Sequence, residues 1–176
     1  SSSSPSSSSS SSSAAAAAAA GHSPKSSQSV QRSLSRGGKK YFTWDMTKDF
    51  NFLIDINKEL KKNKIRTSVF VEPNIDDIYA AKKINFDRIE LYTGHYAKNF
   101  SHDKKNAVEP YKIAALKANE LELGLNAGHD LDLNNLCYFK QNVPFLSEVS
   151  IGHALICDSL YLGIENTIRK YKEKLL

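Results

Sequence analysis

Leu121-Glu122-Leu123-Gly124-Leu125-Asn126-Ala127-Gly128-His129 is a short apolar run that stops at a Gly-His pair, and Glu148-Val149-Ser150-Ile151-Gly152-His153-Ala154 repeats the pattern. Each run has a strand-like composition, and each is followed by a segment of helical spacing. A strand that ends at glycine opens a backbone N–H toward whatever lies above it. A histidine at the same point supplies a proton or a hydrogen bond. Two such corners in succession point to one site built from neighbouring strand ends, suited to a phosphorylated small molecule.

Working outward, the same alternation covers the chain from Tyr41 onward. Residues 49–61 place Phe50, Leu53, Ile54, Ile56 and Leu60 at helical spacing. Residues 66–71 form a β-rich run stopped by Glu72-Pro73-Asn74. Residues 75–84 read as a helix with Asn74 as its N-cap. Residues 87–92 predict a second strand ended by Thr93-Gly94, and 106–120 a long helix rich in Ala, Leu and Lys. A third strand over 121–127, a short helix over 133–139, a fourth strand over 148–151 and a closing helix over 154–171 complete the pass. Four β-then-α units imply a parallel sheet, because parallel strands need a crossover connection, usually a helix. A doubly wound sheet and a (β/α)₈ barrel both satisfy this pattern, and both place ligands at the carboxyl ends of the strands. A full barrel needs eight units and typically ~250 residues; this chain has 176 residues and four units.

Residues 1–40 differ in kind. Residues 1–20 are serine apart from Pro5 and Ala14–Ala20, and 21–40 stay polar and basic, with no acidic residue before Asp45. Such a segment buries too little apolar surface to offset its chain entropy, so it is expected to be disordered, with residues 41–176 forming the domain. Organelle targeting is an alternative reading of this Ser- and Arg-containing, acid-poor stretch, although a serine homopolymer matches a transit peptide poorly. A spurious gene start or a fusion is another.

The formal net charge is +5, and Lys25, Arg32, Arg36, Lys39 and Lys40 alone carry five unbalanced positive charges. The remaining domain is close to neutral, so the basic balance is no argument for nucleic acid binding, and neither nucleic acid nor membrane is expected as a partner. No apolar run approaches the ~20 residues needed to span a bilayer. Cys137 and Cys157 lack a CxxC pattern and are expected to be free thiols serving as small packing residues. No metal-ligand spacing is visible.

Three of the five histidines, His95, His129 and His153, lie at or just beyond strand ends, whereas His22 is in the tail and His102 in a predicted loop. Other candidates there are Glu72, Glu90, Thr93, Gly94, Tyr96, Asn126, Gly128, Asp130 and Gly152. Each has a structural alternative. His129 and His153 could hold loop carbonyls. Period two puts Glu90 on one face with Arg88, so the two could form an ion pair. His95 and Tyr96 read as exposed lid residues. Glu72 reads as a strand end or helix cap. Gly152 opens the final helix, whose N-terminus favours an anion, yet Gly128 and Gly152 could equally serve tight turns.

Asn126-Ala127-Gly128-His129-Asp130-Leu131, residues 148–154 and Arg88-Ile89-Glu90-Leu91-Tyr92-Thr93-Gly94 together resemble pyridoxine 5′-phosphate synthase, from about Trp44 to the C-terminus and including residues 66–71. The resemblance implies a (β/α)₈ TIM barrel in a cytoplasmic, homo-oligomeric transferase of vitamin B6 biosynthesis, an octamer in well-known members. It implies condensation of 3-amino-2-oxopropyl phosphate with 1-deoxy-D-xylulose 5-phosphate, needing no metal or organic cofactor. By the same resemblance His129 matches the proton donor and Glu90 the transition-state stabiliser. Gly152 and His153 match the motif that binds the amino-ketone phosphate. Asp130 stands where many members have glycine, which implies a backbone contact only, and Tyr92 stands where many have histidine.

The family's first-half residues, which include an Asn, an Asp-His, a His, arginines and a Glu, have no counterpart upstream of Tyr41. The expectation is therefore a truncated member, the last four βα units, that does not by itself make pyridoxine phosphate. An alternative from a different class is a non-catalytic, phosphate-binding half barrel that pairs with itself or with a separate N-terminal half.

Overall fold

The computed structural model describes Met46 and residues 48–176. The expected disorder of residues 1–40 lies outside the described residues. From Phe50 the chain runs α1 (Phe50–Lys62), β1 (Ser68–Val71), α2 (Ile75–Ile84), β2 (Arg88–Tyr92), α3 (Gly94–Glu120), β3 (Gly124–Gly128), α4 (Leu136–Asn142), β4 (Leu146–Ser150), α5 (His153–Leu162) and α6 (Ile164–Glu173). The four strands form one all-parallel sheet in the order β1-β2-β3-β4. Sequential parallel neighbours, each followed by a helix, make this part of a (β/α)₈ barrel rather than a doubly wound sheet, whose strand order reverses at a switch point.

The two faces of the sheet divide by sequence parity. Val69, Val71, Ile89, Leu91, Leu125 and Ala127 are buried beneath the helices, together with Ile78 and Ala81 of α2, Tyr111, Ala114, Ala115 and Ala118 of α3, and Phe139 of α4. Each large apolar side chain buried in this way contributes about 1.5–3 kcal/mol relative to exposure. The opposite parity carries Ser68, Phe70, Arg88, Glu90, Tyr92, Gly124, Asn126, Gly128, Glu148 and Ser150. That second face, the inward face of a barrel, is mostly polar.

Polar locks fix the amino ends of the strands. Asp87 accepts hydrogen bonds from Thr67 N at 2.8 Å and Thr67 Oγ1 at 3.0 Å, and pairs with Lys61 Nζ at 3.0 Å. Burial alone would raise the pKa of the Asp87 carboxyl, but these donors hold it below the usual range. Asn57, buried on α1, donates to the carbonyls of Ile84 at 2.9 Å and Asn85 at 2.8 Å and so satisfies the end of α2. The predicted Asn74 cap is present, with its Oδ1 accepting from Asp77 N at 2.8 Å.

Four expectations require correction. The long helix begins at Gly94, twelve residues earlier than predicted, with a break at Asp103 (φ −152°, ψ 87°), whose carboxylate accepts from Asn106 N at 3.1 Å. His95, Tyr96 and His102 are consequently helical. Tyr96 is no lid residue: it is buried among Phe100, Tyr111 and Phe139 and donates through its hydroxyl to Asn135 O at 2.7 Å. The closing helix is two helices, α5 and α6, separated by Gly163 at φ +77°, a conformation that favours glycine. Cys137 and Cys157 are free thiols, but Cys157 is exposed on α5 and packs no core.

Candidate functional site at the strand ends

The carboxyl ends of β2 and β3 are held together by one threonine. Thr93 is fully buried; its N–H donates to Gly128 O at 2.8 Å, and its hydroxyl contacts Gly128 O at 2.7 Å and also His129 O. Beyond β3 the backbone takes two consecutive left-handed residues, His129 (φ +88°) and Asp130 (φ +59°). Non-glycine residues persist in such conformations where the surroundings over-determine them, and these cluster at functional sites. Here Thr93 holds one side of the corner, and Asn135 Nδ2 donates to Asp130 O at 3.1 Å on the other.

This corner turns the His129 side chain onto the inward face. Its ring lies 4.8 Å, centroid to centroid, from that of Tyr92, and its Nδ1 is 3.0 Å from Asp130 Oδ2. The Asp130 carboxylate thus lies beside the His129 imidazole. Tyr92 also packs edge-on against His95 at 5.6 Å and Phe70 at 5.8 Å. His95 Nε2 in turn lies 4.0 Å from Glu72 Oε2. The Glu72 carboxyl is pushed up, first by burial and then by nearby Asp77. A cluster of His, Tyr and carboxyl groups thus spans the ends of β1, β2 and β3.

Glu90 occupies the row below. Burial raises its carboxyl pKa; a hydrogen bond with Ser150 opposes that rise and the charge of Glu148 adds to it. The glycine at 128 makes room for it: a Cβ there would overlap Glu90 Oε1 and crowd Ser150. Glu90 therefore reaches over β3 toward β4. The ion pair with Arg88 considered above is not the arrangement found. Arg88 Nε donates to Asn126 Oδ1 at 2.9 Å, and Arg88 Nη2 lies 3.9 Å from Glu148 Oε1. Gly124 leaves that path open, because a Cβ there would meet the Arg88 guanidinium at 2.8 Å.

Gly152 and His153 stand apart from this packing. Gly152 precedes α5, nothing lies within 4 Å of a Cβ built on it, and His153 is exposed. The first N–H groups of α5 are orphan donors at the positive end of the helix dipole. Among the described residues, no group of three or more His, Cys, Asp or Glu is placed to hold a metal ion. No described helix is long and apolar enough to cross a membrane.

The sequence reading missed Arg66, Glu148 and Ser150. Arg66 grips Glu148 through two hydrogen bonds of 2.9 and 3.2 Å. The available signal was parity: Glu148 and Ser150 share the inward face of β4, as Arg88 and Glu90 share that of β2.

The profile of the family described as "Pyridoxal phosphate biosynthesis protein PdxJ" matches residues 38–176. The chain belongs to this family. The pyridoxine 5′-phosphate synthase of Flavobacterium johnsoniae is 52% identical over 132 residues, which are 75% of this chain and 56% of that protein. The synthase of Christiangramia forsetii is 53% identical over 128 residues, 73% of this chain and 54% of that protein. That of Porphyromonas gingivalis is 48% identical over 132 residues, with shares of 75% and 56%. The chain spans about half the length of these relatives. The profile-matched span, residues 38–176, holds the whole described sheet of this PdxJ-family chain, and with it Glu90, His129, Gly152 and His153.

Proposed function

We propose that this chain carries the part of a pyridoxine 5′-phosphate synthase site that binds 3-amino-2-oxopropyl phosphate and moves protons during its condensation with 1-deoxy-D-xylulose 5-phosphate, a transferase reaction. The observation that most supports this reading is the pairing at the ends of β2 and β3. A carboxyl group that favours its proton, Glu90, lies one row below a histidine on a pinned corner, His129. Ring closure through an imine, with loss of water and phosphate, needs several acid–base groups beside an anion site. In this reading His129 donates a proton, and Asp130 steadies its ring as well as lining the ligand with its backbone. Glu90 stabilises developing charge. Gly152 and His153 bind phosphate through the N-terminus of α5 and the imidazole. The reading places the protein in the cytoplasm as a homo-oligomer.

The test is a chimaera in which residues 46–176 replace the matching segment of the Flavobacterium johnsoniae synthase. It is expected to form pyridoxine 5′-phosphate, with His129→Asn in that chimaera lowering kcat by roughly 10²-fold or more. A chimaera that folds and forms no product overturns the proposal.

A second reading is favoured by the open sheet, in which β1 and β4 each pair with one strand among the described residues. On this reading the chain is a phosphate-binding half barrel that acts by pairing through those edges. Phosphate binding and a stable dimer, alongside an inactive chimaera, would favour it.

A further inference from the structure

The inward face of β3 reads Gly124, Asn126, Gly128. Each glycine is crossed by a side chain from β2: Arg88 passes over Gly124 toward Glu148, and Glu90 passes over Gly128 toward Ser150. Between the two crossings, Asn126 accepts from Arg88 Nε at 2.9 Å and donates from Nδ2 to Glu148 Oε2 at 3.2 Å. Pairing register puts Phe70, Glu90, Asn126 and Glu148 in one row across the four strands. The backbones of two glutamates therefore stand two strands apart in that row, about 9–10 Å at the usual strand spacing. Their carboxylates are held very differently. Glu148 is gripped by Arg66 through two hydrogen bonds, at 2.9 and 3.2 Å, and is approached by Arg88 and Asn126. Glu90 forms no ion pair with a cation among the described residues and touches the Ser150 hydroxyl.

We propose that Glu148 is a positioning residue: clamped by Arg66, Arg88 and Asn126, it draws Arg88 away from Glu90 and fixes a negative charge in the same row, leaving the Glu90 carboxyl without a guanidinium partner. Its role in a reaction rests on the function proposed above; the coupling between the two carboxylates does not. Had Arg88 turned to Glu90, as their shared face allows, Glu90 would be an anion held by a guanidinium. Gly124 and Asn126 give Arg88 the alternative course. The pKa directions agree: Arg66 lowers that of Glu148 first of all, while burial and the Glu148 charge raise that of Glu90. Other charged or titratable groups around this row are Tyr92 on β2, His129 after β3 and Glu72 after β1.

The experiment is carboxyl carbon NMR of the full chain, following Glu90 through a pH titration in the wild type, Glu148→Gln and Arg66→Gln. Glu148→Gln removes the negative neighbour and leaves two guanidinium groups uncompensated. The Glu90 midpoint is then expected to fall by roughly half a unit to one unit. Arg66→Gln removes positive charge and leaves Glu148 under-compensated, so the midpoint should rise by a smaller amount. A purely structural Glu148 would behave otherwise. Loosening the sheet by either substitution would let water reach Glu90, and both midpoints would fall toward the ordinary carboxylate value. Two falls, or no movement in either variant, overturn the proposal. If Glu148→Gln does not fold, Arg66→Gln decides alone, with a rise supporting the proposal and anything else overturning it. Adding 3-amino-2-oxopropyl phosphate to the same samples separates the two ideas. A chain that ignores the ligand but shows the opposed shifts sinks the proposed function and leaves the carboxylate coupling standing.

Discussion

The ends of β3 and β4 carry the same Gly-His pair in opposite surroundings. At β3, Gly128 is buried against Glu90 and Ser150, its carbonyl is held by Thr93, and His129 is pinned in a left-handed conformation against Tyr92. At β4, Gly152 meets nothing within 4 Å of a built Cβ, His153 is exposed, and α5 has no buried residue. The first corner is rigid because sheet packing leaves its backbone no other course. The second is an open helix terminus whose asset is a set of unpaired N–H groups. Proton transfer needs the first kind of setting, since acid and base must be held within hydrogen-bond reach. Anion capture tolerates the second, because a helix N-terminus attracts charge without close steric fit.

One substitution made at both corners would break the comparison most directly. Gly128→Ala is expected to cost about 2 kcal/mol in chemical denaturation, because Glu90 must leave Ser150 and β4 must yield around the added methyl group. The next largest effect is expected for Thr93→Val, about 1.5 kcal/mol, since it removes the hydroxyl donor shared by the buried Gly128 carbonyl and the part-buried His129 carbonyl. Hydrogen exchange should show the loss concentrated at residues 128–130. Glu90→Gln sharpens the contrast in sign. A carboxyl with a raised folded-state pKa lends stability at low pH, and this is lost as pH rises through the folded value. The glutamine variant should therefore melt above the wild type near neutral pH, with the gap closing as pH falls below the ordinary glutamate range. A variant that melts lower at neutral pH would show that the Ser150 contact outweighs burial. Gly152→Ala should be the mildest, within about 0.5 kcal/mol, because its backbone is not left-handed and its side-chain space is open. Equal losses at Gly128 and Gly152 would abolish the distinction drawn here.

Much of this was legible in the sequence because it depends on periodicity. Alternating apolar runs and helical spacings fix the order of elements and the parallel sheet, as in Val69/Val71, Ile89/Leu91 and Leu125/Ala127. The strand ends marked by Glu90, Gly128-His129 and Gly152-His153 follow from the same reading. Helix limits near His95 and Tyr96 were not legible, because Tyr96 is buried by rings from Phe100, Tyr111 and Phe139 rather than by its own turn. The split at Gly163 was available as an isolated glycine between two amphipathic stretches, but apolar residues continue on both sides and mask it.

The partners of the charged residues belong to tertiary structure alone. Local spacing sets Arg88 beside Glu90, two residues apart on one face. The folded chain sends Arg88 to Asn126 and Glu148 and joins Arg66 to Glu148 across 82 residues. Sequence determined which residues face inward, because a strand alternates every second residue regardless of its neighbours. Which of those residues meet was decided by the register of parallel strands and by the two glycines of β3, whose missing side chains leave the space that Arg88 and Glu90 pass through.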